Sequence, residues 1–488
     1  MKVLFVMRNH GYLRNYASTI RMLAERGHEV VVGSRGPERH MAVDTPAFLE
    51  NLQREFPSVT AEKLPRRTDD WTELAATVRA GRNALRYRHP IFRGAPKLTE
   101  RAYRHVDTQA PRLAGWLPSS WPLAATVARA LDMVERTIPI DADIEACLNR
   151  IRPDVVVVTP LVDFNSYQVD YVKSARHRGI PVALAVASWD NLTNKGVIAV
   201  QPDQVFVWNE AQRGEATDLH ETPDSHVRVT GAPLFDDWFE ARPSTTREAF
   251  CAGVGLDPDR PYFLYLCSSG FIAPNEAAFV NRWVRALRNS TMDSLRGCSV
   301  LVRPHPGSAM AWQTDNLADL NNVTVWPRAG ALPLEEDAKR GYFDSLFHSA
   351  AVVGVNTSAM IEAGIVGRRS FTILDADFSD TQEGTIHFAH LKGTGFLTLA
   401  STFDEHHAQL AAELLHPSSR ADFESFLGSF LRPAGLDIPA TPILVDAIEK
   451  LPTVESAPER RPALSLLIAR AARAALVTHA ESYRQTAQ

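Results

Sequence analysis

Cysteine is scarce in this 488-residue sequence: only Cys147, Cys251, Cys267 and Cys298 occur, far apart and without a CxxC pair. Neither a zinc knuckle nor a disulfide framework is indicated, and a reducing compartment is expected. Long apolar runs are missing as well. No window approaches the roughly 18 uninterrupted apolar residues of a membrane span. The N-terminal MKVLFVM breaks at Arg8 and Asn9, too early for a signal-peptide core, and reads as a first β-strand. Positive charge is not in excess: 52 Lys and Arg face 57 Asp and Glu, a net −5, so no global field exists for wrapping nucleic acid. The segment after the first strand, MRNHGYLRNY, carries no GxGxxG, which argues against a dinucleotide-binding dehydrogenase. A cytoplasmic protein is expected, in contact with membrane at most peripherally, at its inner face.

What is present is alternation. Short β-branched runs end in Gly, Pro, Ser or Asn clusters and lead into helix-length stretches, the signature of βαβ units and parallel sheets. The first series is 2–7, 28–33, 154–159, 181–187, 203–208 and 226–230. A second series, 261–267, 298–303, 322–326, 350–355 and 369–373, follows a polar stretch near residue 240. The expected fold is α/β, with two Rossmann-like domains facing across a cleft, and with ligands at the C-terminal strand ends. The expected domains are 1–240 with an insertion at about 39–141, then 241–400, then helices over 401–455 that pack back on the body. An amphipathic or disordered tail, 456–488, ends the chain. Within 79–112, eight arginines and one lysine face only Glu100 and Asp107, a local +7. Such a segment is either a solvated helical insertion or a dock for an anionic membrane or acceptor.

Candidate chemistry gathers at strand ends. In VVGVNTSAMIEAGIVGRRSFTI a strand ends at Asn356, Thr357 and Ser358 open a helix, and Glu362 stands one turn on. Helix-start N–H groups favour phosphate, and a carboxylate on the same face accepts bonds from sugar hydroxyls; ordinary capping is the alternative. CSVLVRPHPG brings Arg303 and His305 to one side of a strand end, suited to phosphate. Ser268 and Ser269 lie in a turn whose backbone suits a pyrophosphate. Gln382 and Glu383 lie in a polar loop after the last strand. In the first half, His10 is a candidate general base for an acceptor hydroxyl. Asp163 and Asp190, after the third and fourth strands of the series, compete for that role, with turn or cap duty as the alternative.

These motifs resemble the GT-B glycosyltransferase superfamily. RPHPG followed by NTSAMIEAG is similar to the C-terminal domains of bacterial CDP-glycerol glycerophosphotransferase-like and capsule polysaccharide transferases, and more distantly to UDP-GlcNAc 2-epimerases. VRVTGAPLFDDW resembles the segment that leads into their interdomain linker. The resemblance is most specific over 203–391. It implies that Arg303 and His305 contact donor phosphates, that Thr357 and Ser358 anchor the pyrophosphate and that Glu362 holds the ribose. Ala359 and Met360 depart from the glycerophosphotransferase pattern, which has Asp after the Ser/Thr turn; a CDP-glycerol donor is thereby disfavoured. The expected function is transfer of a sugar from a nucleotide donor to a glycan or lipid-linked envelope acceptor, with no metal and no cofactor. A UDP-sugar 2-epimerase or a non-catalytic nucleotide-binding protein are the alternatives.

Overall fold

The computed structural model describes residues 1–36, 44–312, 317, 319–330, 333, 335–454 and 464–486. Positions 39–43 of the expected insertion and 456–463 of the expected tail lie outside the described residues.

The chain forms two compact units, Met1–Pro233 with Pro439–Gln488, and Leu234–Ile438. Unit 1 holds β1 (Lys2–Met7), β2 (Glu29–Ser34), β3 (Val59–Lys63), β4 (Val155–Thr159), β5 (Val182–Ala185), β6 (Gln204–Val207) and β7 (Val227–Val229) in the order β3-β2-β1-β4-β5-β6-β7. Unit 2 holds β8 (Tyr262–Leu266), β9 (Ser299–Arg303), β10 (Val323–Val325), β11 (Ala351–Gly354), β12 (Ser370–Ile373) and β13 (Leu397–Ala400), ordered β10-β9-β8-β11-β12-β13. Every pairing is parallel. Each sheet therefore has its C-terminal strand ends on one edge, with a switch point where the order reverses, at β1/β4 and at β8/β11. The fold is α/β with two Rossmann-like units.

The pleat explains the continuous apolar strands. Leu4, Val6, Val156 and Val158 enter one core of unit 1, whereas Val3, Phe5, Val155 and Val157 enter the core on the opposite face. A strand covered on both faces has no polar position to spare. The second of these cores also contains Leu444, Val445 and Ile448, so the helix Ala440–Lys450 is part of unit 1 although it follows all of unit 2 in sequence. Helices Phe403–Leu415 and Glu424–Phe430 stay in unit 2. Unit 2 fastens its two chain ends to each other: the buried Arg432 guanidinium donates to Asp236 at 2.9 Å and lies 3.8 Å from the Phe239 ring centroid.

The segment 39–141 is not insertion throughout. Helix Asp44–Glu55 and β3 complete the sheet, and the helical excursion proper is 72–137. Its helix Thr72–Arg86 faces inward. Arg79 pairs with buried Glu135 and Asp170, Arg82 with Asp132, and Arg86 donates to the carbonyls of Leu192, Lys195 and Gly196. Arg79, Arg82 and Arg86 are thus withdrawn from any docking face, because burying them leaves their donors to be satisfied by carboxylates and carbonyls of the body.

Candidate functional site

In unit 2 the parallel register sets Leu266 opposite Arg303 and Gly354 opposite Leu266. The residues that follow β8, β9 and β11 therefore share one edge, at the switch point. Gly354 is required for this approach: a Cβ there would sit 2.9 Å from the Leu266 carbonyl oxygen.

A shelf forms first. Ser268 is fully buried, and its Oγ accepts from the Asn356 amide at 3.4 Å. The Asn356 side-chain amide donates to the Thr381 carbonyl at 2.6 Å and lies near Thr385 and His387, while its Oδ1 is buried without a partner. Beneath, Glu276 accepts from the Ser268 N–H at 2.7 Å and from the Tyr265 hydroxyl at 3.3 Å. Burial pushes the Glu276 carboxyl up to about 8 against those two bonds, so it carries its proton at neutral pH. A neutral acid costs far less to bury than a carboxylate.

Beside the shelf stands Arg303, 6% exposed, its guanidinium 4.6 Å from the Tyr342 ring centroid and 5.2 Å from that of Trp326. Its Nη1 is buried with no hydrogen-bond partner. Burial pushes its pKa down to about 10, with Tyr342 and Glu362 acting the other way; it remains a cation at neutral pH. The Tyr342 hydroxyl donates to Glu362 Oε2. His305 is half-buried, and its Nδ1 accepts from the Gly307 amide at 3.0 Å, which leaves Nε2 as the nitrogen able to donate. Thr357 Oγ1 accepts from the Ala359 amide at 3.4 Å, and Ser358 is exposed and opens the seven-residue helix Ala359–Ile365. Ser269 is half-buried in the turn after β8, its carbonyl taking the amides of Ile272 and Ala273.

The other two donor-side candidates lie in the loop after β12. Gln382 is fully buried and spends its amide on Thr372 and the carbonyls of Ile373 and Val355, bracing the ends of β11 and β12. Glu383 is exposed and paired with Lys392. These are scaffold and surface positions, since a loop residue's side chain goes where its own backbone turns it. Tyr342, Trp326 and Glu276 are members that motif reasoning passed over: in sequence they are ordinary helix or strand residues.

In unit 1 the edge after β1, β4 and β5 holds a charged cluster. Asp163 is buried between Lys195 Nζ at 2.6 Å and Arg8 Nη1 at 2.7 Å. Burial favours its neutral form, but Lys195 and Arg8 overcome this and hold the carboxyl below its ordinary range. The loop that carries Asp163 has Leu161 and Asn165 at φ 58°, left-handed for non-glycine residues and costly unless over-determined. Gln168 does that, accepting from the Leu161 amide and donating to the carbonyls of Val6 and Thr159. Asp190 accepts from the side chains of Asn191 and Asn194. Two cations make Asp163 a poor proton acceptor, in contrast to the base role expected of it. His10 follows β1 in a short turn; burial lowers its pKa, and its Nδ1 has no hydrogen-bond partner. A neutral imidazole is the form a general base needs.

No family model matches the sequence, and no curated protein matches it. Solved structures do match in fold. UDP-GlcNAc 2-epimerase from Neisseria meningitidis bound to UDP-GlcNAc superposes with a TM-score of 0.54 at 12% identity, covering 92% of this chain and 100% of that one. The Methanocaldococcus jannaschii UDP-GlcNAc 2-epimerase gives 0.52 at 13%, covering 92% and 99%. A glycosyltransferase from Rickettsia africae ESF-5 gives 0.52 at 8%, covering 92% and 98%. At these identities the likeness is one of fold, and the chain has the GT-B fold of two Rossmann-like units.

Proposed function

We propose that the protein is a nucleotide-sugar-dependent glycosyltransferase whose unit 2 binds the activated donor. The observation that carries this reading is Arg303: a buried cation at the C-terminal end of β9, one strand from the switch point, braced by two aromatic rings, with a guanidinium N–H left without an acceptor. A buried donor in that state is satisfied by an anionic ligand, and the diphosphate of a sugar nucleotide supplies one.

His305 Nε2 and the amides after Thr357 and Ser358 add donors to the diphosphate, Ser268, Ser269 and Asn356 form its floor, and Glu362 receives the ribose hydroxyls. When the bond from the anomeric carbon to the diphosphate breaks, negative charge grows on the leaving phosphate, where Arg303 is already oriented and no metal ion is required. On the acceptor side, in unit 1, His10 takes the proton of the attacking hydroxyl. Asp163 holds Lys195, Asp190 holds its own loop, and a glycan or lipid-linked envelope acceptor fits the reading. The fold shared with UDP-GlcNAc 2-epimerases favours a second reading, inversion of the sugar while it stays attached to UDP.

Product analysis separates the two. Release of UDP that depends on an added acceptor supports transfer; a changed sugar still bonded to UDP supports epimerisation. Glu362→Ala is expected to weaken nucleotide binding by about tenfold, the worth of one charge-assisted hydrogen bond pair, with the fold intact. Unchanged nucleotide affinity in that variant would reject the site.

A further inference from the structure

Eleven large apolar side chains are exposed among the described residues, and eight of them fall on one lobe of unit 1. Ile91, Trp116, Leu123 and Met133 lie in the helical excursion; Leu464 precedes the last helix, Ser465–Thr486, and Leu466, Leu467 and Ile468 lie in its first turn. That helix packs on Trp121–Thr137 and Thr72–Arg86. It turns Ser465 and Ala469 inward, and Arg473 is bonded to Asp70 at 3.2 Å and lies over the Trp71 ring. Its leucines and isoleucine therefore remain outside although the helix is docked. On Trp121–Thr137, Leu123, Ala130 and Met133 are exposed at spacings that put them on one helical face. Isolated exposed apolar residues need no explanation, but this concentration does.

Charge identifies what covers the face. The excursion 72–137 holds eleven Lys and Arg against five Asp and Glu, and without Arg79, Arg82, Arg86 and the buried Glu135 it still carries +4 in a chain whose total is −5. With Arg79, Arg82 and Arg86 turned inward, Arg93, Arg104, Arg129, Arg136 and Arg470 remain exposed on the same lobe. Arg104 and Arg136 are each bonded to an acid one turn away. A second copy meeting this face across a two-fold axis would set two basic lobes against each other. We propose that this lobe is a docking surface for an anionic lipid bilayer, the apolar side chains entering the headgroup boundary and the arginines meeting lipid phosphates. No helix among the described residues is long and apolar enough to cross a membrane, so the contact is one of lying on the surface. The inference is independent of the nucleotide reading.

Sedimentation of the full chain with phosphatidylglycerol-containing and with pure phosphatidylcholine vesicles tests it. Binding to the anionic vesicles is expected to exceed that to neutral ones by about tenfold or more and to fall as salt is raised. The double variant Leu467→Glu/Ile468→Glu is expected to lose about tenfold or more in partition. The pair Arg93→Glu/Arg129→Glu is expected to lose the preference for anionic lipid; both variants alter exposed positions and should melt as the parent does. Three results would overturn the proposal: no vesicle binding, equal binding to both lipids, or a dimer in light scattering that Leu467→Glu/Ile468→Glu dissolves.

Discussion

Replacing Arg303 by methionine separates what this residue does for the fold from what it does for a ligand. The side chain is 6% exposed, and burial pushes its pKa well below the ordinary guanidinium value, to about 10. At ~1.4 kcal/mol per pKa unit, holding the charge there costs the folded chain about 3 kcal/mol at any pH well below 10. Stacking on Tyr342 and Trp326 returns on the order of 1 kcal/mol per ring. Methionine keeps much of the volume and removes the charge. The net expected change is a ligand-free stability equal to the parent's or greater by about 1 kcal/mol, a rise of up to ~4 °C in Tm for a unit of this size. Affinity for a nucleoside diphosphate should move the opposite way. Losing charge-assisted hydrogen bonds of about 1.5–3 kcal/mol corresponds to a Kd roughly 10–100 times larger. Thermal melting of the free protein and calorimetric titration with UDP read the two quantities. A variant that melts well below the parent and binds UDP unchanged would refute the reasoning, because Arg303 would then be a stabilising core residue and not a ligand group.

His10→Gln is expected to lower transfer by about 10²–10⁴-fold with UDP affinity retained. In the parent, the rate should fall only as pH drops through a value below 6.5, because burial depresses the His10 pKa; a pH profile will show it. Asp163→Asn leaves Lys195 and Arg8 without their shared counter-charge and should destabilise unit 1 by about 2–4 kcal/mol in urea melts, less than a fully buried pair because Arg8 is half-exposed. The folded Asp163 pKa lies below 3.8, so its contribution is present above that pH and is lost as pH falls through the folded value. Glu276 has the opposite sign. With its carboxyl raised from 4.5 to about 8, its contribution is complete below 4.5 and is lost as pH rises through 8. Glu276→Gln should therefore melt above the parent at pH 9 and level with it at pH 5, by differential scanning at the two pH values.

The chemistry of the sequence determined the layers, because a strand buried on both faces must be apolar throughout, and DVVVVT or CSVLV has no other reading. Where burial stops, the signal stops. The edge strands β3, VTAEK, and β13, LTLA, carry polar or half-exposed positions, so neither has the unbroken apolar run of a central strand, and β3 falls within the expected insertion. Arg303, Asn356 and Glu362 were legible as site candidates because they end or follow strands, and a parallel sheet delivers strand ends to one edge whatever else it does.

Tertiary structure alone decided which neighbour each of these groups meets. Tyr342 reaches Arg303 from a helix and Trp326 from the bend after β10, and Glu276 reaches Ser268 from the next helix. Lys195 and Arg8 close on Asp163 from both sides and change a supposed base into a held carboxylate. Gln382 braces the ends of β11 and β12, and the arginines of 79–86 turn into the body. Local pattern fixes whether a residue lies in a strand, a helix or a turn, since backbone period and burial are short-range. The charge state and partners of a side chain depend on contacts made across the fold, which no local pattern contains.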